Sequence, residues 1–444
     1  MNCSYSNLWK ITLPIFSFLL IENIIAFTDT AFLGRVGEAP LAAAAIASLY
    51  YVTIFIVGFG FSVGSQIFIS HLNGEKNFEK IGAIFNNSIY CLFAMALLGF
   101  CFTEFFGQWV FSKMVNSPDV INEVMRYMKW RQFGFFAIFS IIAFRSFYVG
   151  IARTKPLAYT SWLMGVVNLV LDYVLVFGKF GFPKMEIEGA AIASTISEFS
   201  AVVFFFFYTA KRSRVQKFNL RFSKIDFTQI KKIFGLSGWT MAQQFVYVAM
   251  WLLLFSFIES FGERPLAQSN IIKSVLMFVY MPMYAFGATM NTVAGNLLGE
   301  GRKSEIMPAC VRIMKLQFAL VVPALVLLCA FPIEILSVYT DNKEILQGIK
   351  MPLFCALFTV PWAIPSITLC NLILGFERTK AIFIMECSVL VLYFGGLFFT
   401  VYYLSSFPAT WTLDGWYWII LICTNYIYIR KFLLPSKKTK TQTV

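Results

Sequence analysis

Long apolar runs follow one another along the chain, separated by short polar stretches. A helix crosses the hydrocarbon layer with about 20 apolar residues. Hydrophobic periodicity thus predicts twelve spans, at 11–34, 41–70, 81–105, 124–150, 157–178, 188–209, 234–261, 266–298, 306–331, 346–376, 381–404 and 411–432. The longest polar interruption is KRSRVQKFNLRFSKIDFTQIKK, Lys211 to Lys232, with eight basic residues and one acid.

Composition agrees with a membrane domain. The chain is 59% hydrophobic and 13% charged, where soluble domains carry about a quarter charged residues. No stretch is left for a soluble catalytic domain. The nine cysteines include no CxxC pair, and His71 is the single histidine, so neither a zinc site nor a haem attachment is supported. The opening residues MNCSYSNLWK read as a short tail before an uncleaved first helix.

A net charge of +13 would suggest nucleic acid, but the positions argue otherwise. One set of alternate loops holds the basic 211–232 stretch, Lys76, Lys80, Arg153, Lys155, Arg302, Lys303, Arg378, Lys380 and the tail IRKFLLPSKKTK. The other set holds Arg35, Lys113, Lys179, Lys184, Arg264 and Lys343, with Arg126, Lys129 and Arg131 running against the trend. Basic residues mark the cytoplasmic side. Both termini are therefore expected inside the cytoplasmic (inner) membrane, with membrane lipid rather than nucleic acid as the surrounding partner.

The chain also repeats itself. GEAPLA at Gly37–Ala42 returns as GERPLA at Gly262–Ala267, LNGE at Leu72–Glu75 as LLGE at Leu297–Glu300, and GIARTK at Gly150–Lys155 as GFERTK at Gly375–Lys380. Each offset is 225 residues. The organisation expected is a six-helix lobe over 1–210, a cytoplasmic linker over 211–232, a second lobe over 233–434 and a basic tail over 435–444. Six is even, so both lobes enter the membrane in the same sense, as parallel repeats of a secondary transporter do.

Polar residues inside the spans supply the candidate chemistry. A carboxylate in a membrane helix must be protonated, paired or turned to a polar cavity. Asp29 lies in the first span, Asn168 and Asp172 in the fifth, and Ser194 and Glu198 in the sixth; the last two pairs are spaced i, i+4 and share a helix face. All fall in the outer half of their helices under the topology above. Glu22 is a second acid in span one, and Arg145 in span four is a candidate structural partner for these acids. The second half does not repeat the cluster, since Asp29, Asp172 and Ser194 fall on Leu254, Leu397 and Ile419 at the offset. Its own buried charges, Glu259, Lys273 and Glu386, read as structural pairs. Ion coupling is therefore expected in the first half. The many phenylalanines and Met277, Met281, Met283 and Met290 are adaptable lining or plain packing.

DTAFLGRVGEAPLAAAAIA (Asp29–Ala47), NLVLD (Asn168–Asp172), GAAIAS (Gly189–Ser194), GERPLA and LLGEG together resemble the multidrug and toxic compound extrusion (MATE) family. The resemblance implies an all-α protein of two six-helix lobes forming a V. It also implies efflux of amphipathic, often cationic compounds in exchange for protons or sodium, by a chain working as a monomer without a cofactor. By position, Asp29, Asn168, Asp172 and Ser194 match the coupling residues of the DinF-type branch, and a sodium ion would sit at Asp29, Asn168 and Asp172. Pro14 matches a proline at which helix 1 bends in some members. The usual sixth-helix threonine is Ser194 here, with Thr195 beside it. The tenth span lacks the acid of the NorM-type branch, which favours the first lobe.

Protonation of Asp29, or sodium binding, would change the charge in a low-dielectric cavity and repack helix 1 near Pro14. The nearest rival is a flippase for lipid-linked sugars or other amphipathic metabolites, which would want a cationic cavity rather than an acidic one. A membrane prenyltransferase would need paired Asp-rich magnesium motifs, and a scaffold would leave the single-depth cluster unexplained. The chain does not read as an enzyme.

Overall fold

The computed structural model describes residues 1–211, 214–220, 224–337, 339 and 342–434. The expected tail 435–444 lies outside the described residues, as do 212–213 and 221–223 of the basic loop. Every regular element among the described residues is helical. Hydrocarbon offers backbone groups no hydrogen-bonding solvent, so an apolar spanning segment satisfies its own N–H and C=O groups as a helix.

The first six long elements are α1 (Tyr5–Gly34), α2 (Glu38–Gly74), α3 (Phe78–Met114), α4 in two segments (Pro118–Arg131 and Gly134–Gly150), α5 (Lys155–Phe177) and α6 (Glu186–Lys211). The remaining six are α7 (Phe227–Glu259), α8 (Glu263–Gly299), α9 (Ile306–Ala330), α10 (Lys350–Gly375), α11 (Thr379–Tyr402) and α12 (Phe407–Tyr428). Ten are apolar and long enough to span on their own, and α4 makes an eleventh when its bent pair is one span. The twelfth, α12, has 22 residues but carries Asp414 and several polar groups among its aromatic residues.

The fourth span differs from a plain helix over 124–150. It is broken between Arg131 and Gly134, and the two segments meet at 52°. The cause is chemical. The first segment is amphipathic, with Val124, Tyr127, Met128 and Arg131 buried. At the break, a Cβ on Gly134 would overlap the Arg131 guanidinium, the Glu198 carboxylate and the Tyr51 hydroxyl. The Gln132 amide also donates to Glu104 of α3 at 2.8 Å. The three basic residues that ran against the charge trend are partly accounted for here. Arg126 pairs with Glu123 and Glu188, and Arg131 turns inward to Glu198.

Two compact units emerge, one of residues 13–241 and one of residues 1–12 with 242–444. In the first, α2 packs on α3 and on both segments of α4, while α6 packs on α4 and, most extensively, on α5. In the second, α10 packs on α8, α9 and α12, and α11 packs on α12. The core of this second unit centres on fully buried residues such as Trp411, Leu353, Val360 and Leu397.

The repeat is visible in contacts as well as in sequence. In the first unit the start of α7 lies on α2, with Ser237 Oγ donating to Phe61 O at 3.1 Å and Thr240 Oγ1 to Gly60 O at 2.7 Å. In the second unit the start of α1 lies on α8, where Thr12 Oγ1 meets Thr289 Oγ1 at 2.9 Å. Ser237 and Thr12 are 225 residues apart, and so are Thr289 and Gly64, the glycine that makes room for Ser237. One helix-crossing contact therefore occurs twice, at equivalent positions.

The α5–α6 crossing positions the candidate site. Gly189, Ala190 and Ala193 give α6 a face of small residues, and such faces let membrane helices approach closely. A Cβ on Gly189 would lie 2.7 Å from the Leu175 carbonyl carbon of α5 and 2.9 Å from Val176 N, backbone atoms that cannot rotate away. Gly189→Val is expected to separate the two helices and lower stability by about 1–3 kcal/mol. Thermal unfolding of purified protein in detergent measures it, and an unchanged midpoint would show that the crossing is not tight.

Candidate functional site

Asn168 and Asp172 stand one turn apart on α5, both fully buried, and face Ser194 on α6. The Asn168 amide donates to Ser194 Oγ at 3.2 Å, and Ser194 Oγ donates in turn to Asp29 Oδ2 of α1 at 3.0 Å. Asp29 and Asp172 lie close enough to interact directly. The structure thus brings Asp29, Asn168, Asp172 and Ser194 into one constellation. Thr195 points elsewhere, its hydroxyl donating to Trp130 O at 3.3 Å.

The hydrogen-bond inventory of this cluster is lopsided. Asp29 Oδ1, Asn168 Oδ1 and both carboxyl oxygens of Asp172 are buried without a hydrogen-bond partner. A carboxylate and an amide oxygen are acceptors only, and buried polar groups in folded proteins are almost always satisfied. The two donors present, the Asn168 amide and the Ser194 hydroxyl, are already used within the chain of bonds. What the site lacks is positive charge, as a proton on a carboxyl or a cation held by these oxygens. Hard oxygen donors of this kind suit protons and hard cations rather than soft metals. Among the described residues, no group of three or more His, Cys, Asp or Glu side chains is placed to hold a metal ion.

Glu198 belongs to a neighbouring motif. Arg131 grips it with two bonds, Nη1 to Oε2 at 2.8 Å and Nη2 to Oε1 at 2.5 Å. Tyr51 donates to Oε2 at 3.2 Å, and the guanidinium lies 3.8 Å over the Tyr51 ring, which itself stacks on Phe135 at 4.7 Å. Forked Arg–carboxylate geometry of this kind is strong and directional. Arg131 acts on Asp29 through space only, its hydrogen bonds going to Glu198. The charge of Glu198 is therefore met where it stands, unlike those of Asp29 and Asp172.

Glu22 and Arg145 sense each other electrostatically but do not come within ion-pair distance among the described residues. Arg145 instead stands 5.0 Å from the Phe59 ring. Pro14 is buried in the first half of α1. It has no N–H to offer the carbonyl one turn earlier, which is where helices kink.

The second unit holds groups that the residue pattern did not reveal. Asp414 of α12 is 6% exposed and accepts from Tyr393 OH at 2.8 Å. Tyr417 and Trp418 pack beside it, and Tyr393 occupies the position 225 residues after Asn168. Glu386 accepts from Gln243 at 2.8 Å. Lys273 does not pair with an acid among the described residues. Its ammonium sits over the rings of Trp251 and Phe255 at 5.4 and 5.1 Å, a contact that satisfies a cation without a counter-ion. Glu259 is exposed near the end of α7. Asp414 was legible only as a lone acid in WTLDGWYW, near the start of its span, and Arg131 only as a residue on the wrong side of a charge count.

The comparisons with known proteins agree with one another. A single family model, MatE, matches residues 14–174 and again 240–396, once in each half. A probable multidrug resistance protein NorM from Pasteurella multocida is 25% identical over 378 residues, covering 84% of this chain and 81% of the relative. A crystal structure of MATE in the straight conformation superposes with a TM-score of 0.87 at 16% identity, covering 96% of both chains. One in the bent conformation superposes at 0.85 and 15% identity, covering 95% of both.

The forked pair makes its own test. Arg131→Leu leaves the Glu198 carboxylate buried without its partner, which is expected to cost about 3–5 kcal/mol. Replacing both residues by leucine should restore most of that loss, and chemical denaturation of the purified variants separates the cases. A single variant as stable as the double would show that the pair contributes nothing.

Proposed function

We propose, from the premise that this chain belongs to the MatE family of membrane transporters, that it is a secondary multidrug exporter. In this reading it moves small amphipathic, often cationic compounds out across the cytoplasmic membrane in exchange for protons or sodium ions, by alternating access. Both termini face the cytoplasm, and a single copy of the chain carries the whole transport path. Residues 1–210 and 233–434 act as its two lobes, joined by the basic linker over 211–232.

The observation that carries the proposal is the surplus of buried acceptor oxygens around Asp29 and Asp172. A site with acceptors and no free donors is stabilised by an added positive charge. Proton or sodium arrival from outside meets this need, and its departure inside renews it. The relatives support the cargo, being named multidrug resistance proteins. The coupling role falls to Asp29, Asn168, Asp172 and Ser194, with no cofactor beyond the exchanged ion.

The moving part in this reading is α1. Its buried face carries bulky Phe, Leu and Ile side chains rather than small ones, and no neighbour follows its backbone closely, in contrast to the α5–α6 crossing. Solved relatives are described in bent and straight conformations, and Pro14 supplies a weak point in α1 at which such a change can occur. A cation at Asp29 alters how strongly α1 is drawn to α5 and α6. Drug and cation, each favouring a different conformation, then exclude one another by shifting a shared equilibrium.

Asp29→Asn is expected to reduce efflux of a cationic dye to background while the protein remains folded in the membrane. Everted membrane vesicles with pH and sodium gradients imposed separately measure this, and normal export by the variant contradicts the coupling role. Pro14→Ala is expected to keep dye binding near the wild-type level but slow export several-fold. Export at the wild-type rate would remove α1 bending from the mechanism.

A further inference from the structure

Arg145 is the one charged side chain of the first unit whose situation nothing above explains. It sits in the middle of the second segment of α4, in the apolar run GFFAIFSIIAFRSFYVG, and is only 4% exposed. Its Nε and Nη1 are buried without a hydrogen-bond partner. A guanidinium offers five N–H donors and no acceptor, and leaving such donors unmet in a buried position costs far more than leaving them in water.

The groups near it do not meet the need. The Phe59 ring lies 5.0 Å away and receives part of the charge through its face, but supplies no acceptor oxygen. Glu22 interacts with Arg145 electrostatically, yet the two remain farther apart than an ion pair among the described residues. A carboxylate and a guanidinium that share an interior without touching leave a gap with opposite charges on its two sides.

The surroundings specify what fits. Glu22 precedes Asp29 by seven residues on α1, so the two carboxyls lie on one face about 10 Å apart. One side of the interior thus presents acids, and Arg145 presents the unmet cation on the other. Arg131 does not compete for the role, because its donors are committed to Glu198. The acidic side accounts for the ammonium end of an amphipathic compound but gives no use to Arg145.

We propose that Arg145 is a binding residue for a carboxylate group on the transported compound, so that the first unit accepts zwitterionic amphipathic molecules and not only cations. The carboxylate takes the forked donors Nε and Nη1, in the geometry that Arg and carboxylate share. The ammonium end of the same molecule lies toward Glu22 and Asp29, and Phe59 covers the apolar body beside the guanidinium. This inference rests on the exporter reading and narrows its substrate class.

The test uses two dyes that differ only at one group, the cationic ethyl ester of a rhodamine and its zwitterionic free acid. Binding of each to the full chain in phosphatidylcholine nanodiscs, which carry no anionic lipid to compete, is followed by fluorescence anisotropy. The wild type is expected to bind both. Arg145→Gln should weaken the free acid about thirtyfold or more, the scale of losing a buried charge-pair partner, with the ester changed less than about twofold. Ester binding also reports that the variant is folded. Should the glutamine variant fail to fold, Arg145→Lys keeps the charge but loses the fork, and is expected to weaken the acid several-fold.

Equal effects on the two dyes, no effect on either, or a wild type that binds the ester and not the acid would each overturn the proposal. Those results leave the exporter reading intact as long as energised vesicles still export the ester. A wild type that neither binds nor exports the ester refutes the exporter reading, and this inference with it.

Discussion

The constraint on which this structure turns is the imbalance between acceptors and donors where α1, α5 and α6 meet. Four buried oxygens of Asp29, Asn168 and Asp172 have no hydrogen-bond partner. In a hydrocarbon-like interior, one ionised carboxylate left in this state costs several kcal/mol, and two side by side cost more. Nothing in the chain offsets that cost. Arg131, the nearest guanidinium, gives its donors to Glu198. The site therefore depends on something supplied from outside the fold, and a proton or a small cation is what its atoms call for.

Around this imbalance the rest of the first unit is rigid where it must be and loose where it can be. Gly189 and its small neighbours lock α6 onto α5, which holds Asn168, Asp172 and Ser194 in register. The Arg131–Glu198–Tyr51 cluster pins the break in α4 against α6 and α2. Asp29 alone is carried by a helix that packs loosely and contains a proline. A charge change at Asp29 thus acts on the element with the least holding it in place. The doubled contact of Thr12 with Thr289 and of Ser237 with the backbone of α2 shows the same architecture in both halves, yet only the first half carries this constellation.

The sequence made the helices, the repeat and the grouping of Asp29, Asn168, Asp172 and Ser194 legible for physical reasons. Membrane spans need a minimum apolar length, repeats leave an offset, and polar residues spaced four apart share a face. Partners across helices were not legible, because pairing depends on side-chain direction. Glu198 was a candidate for the coupling group until Arg131 proved to hold it in a fork. Lys273 was expected against an acid and rests on two aromatic rings. Asp414 looked like an end-of-helix acid and is instead buried against Tyr393. The break in α4 was hidden inside a continuous apolar run, since its cause is one glycine facing a guanidinium from its own helix and a carboxylate from another.

The central claim is that the oxygens of Asp29 and Asp172 are neutralised by a proton or cation rather than by the protein. Infrared difference spectroscopy of the purified protein reads this directly, because a protonated carboxyl has a C=O stretch that a carboxylate lacks. Raising the pH, or adding sodium at fixed pH, should remove a protonated-carboxyl band from the wild type. The same band should be absent from both Asp29→Asn and Asp172→Asn. A wild-type spectrum in which neither pH nor sodium changes a carboxyl band, or a band that persists in both variants, would contradict the account.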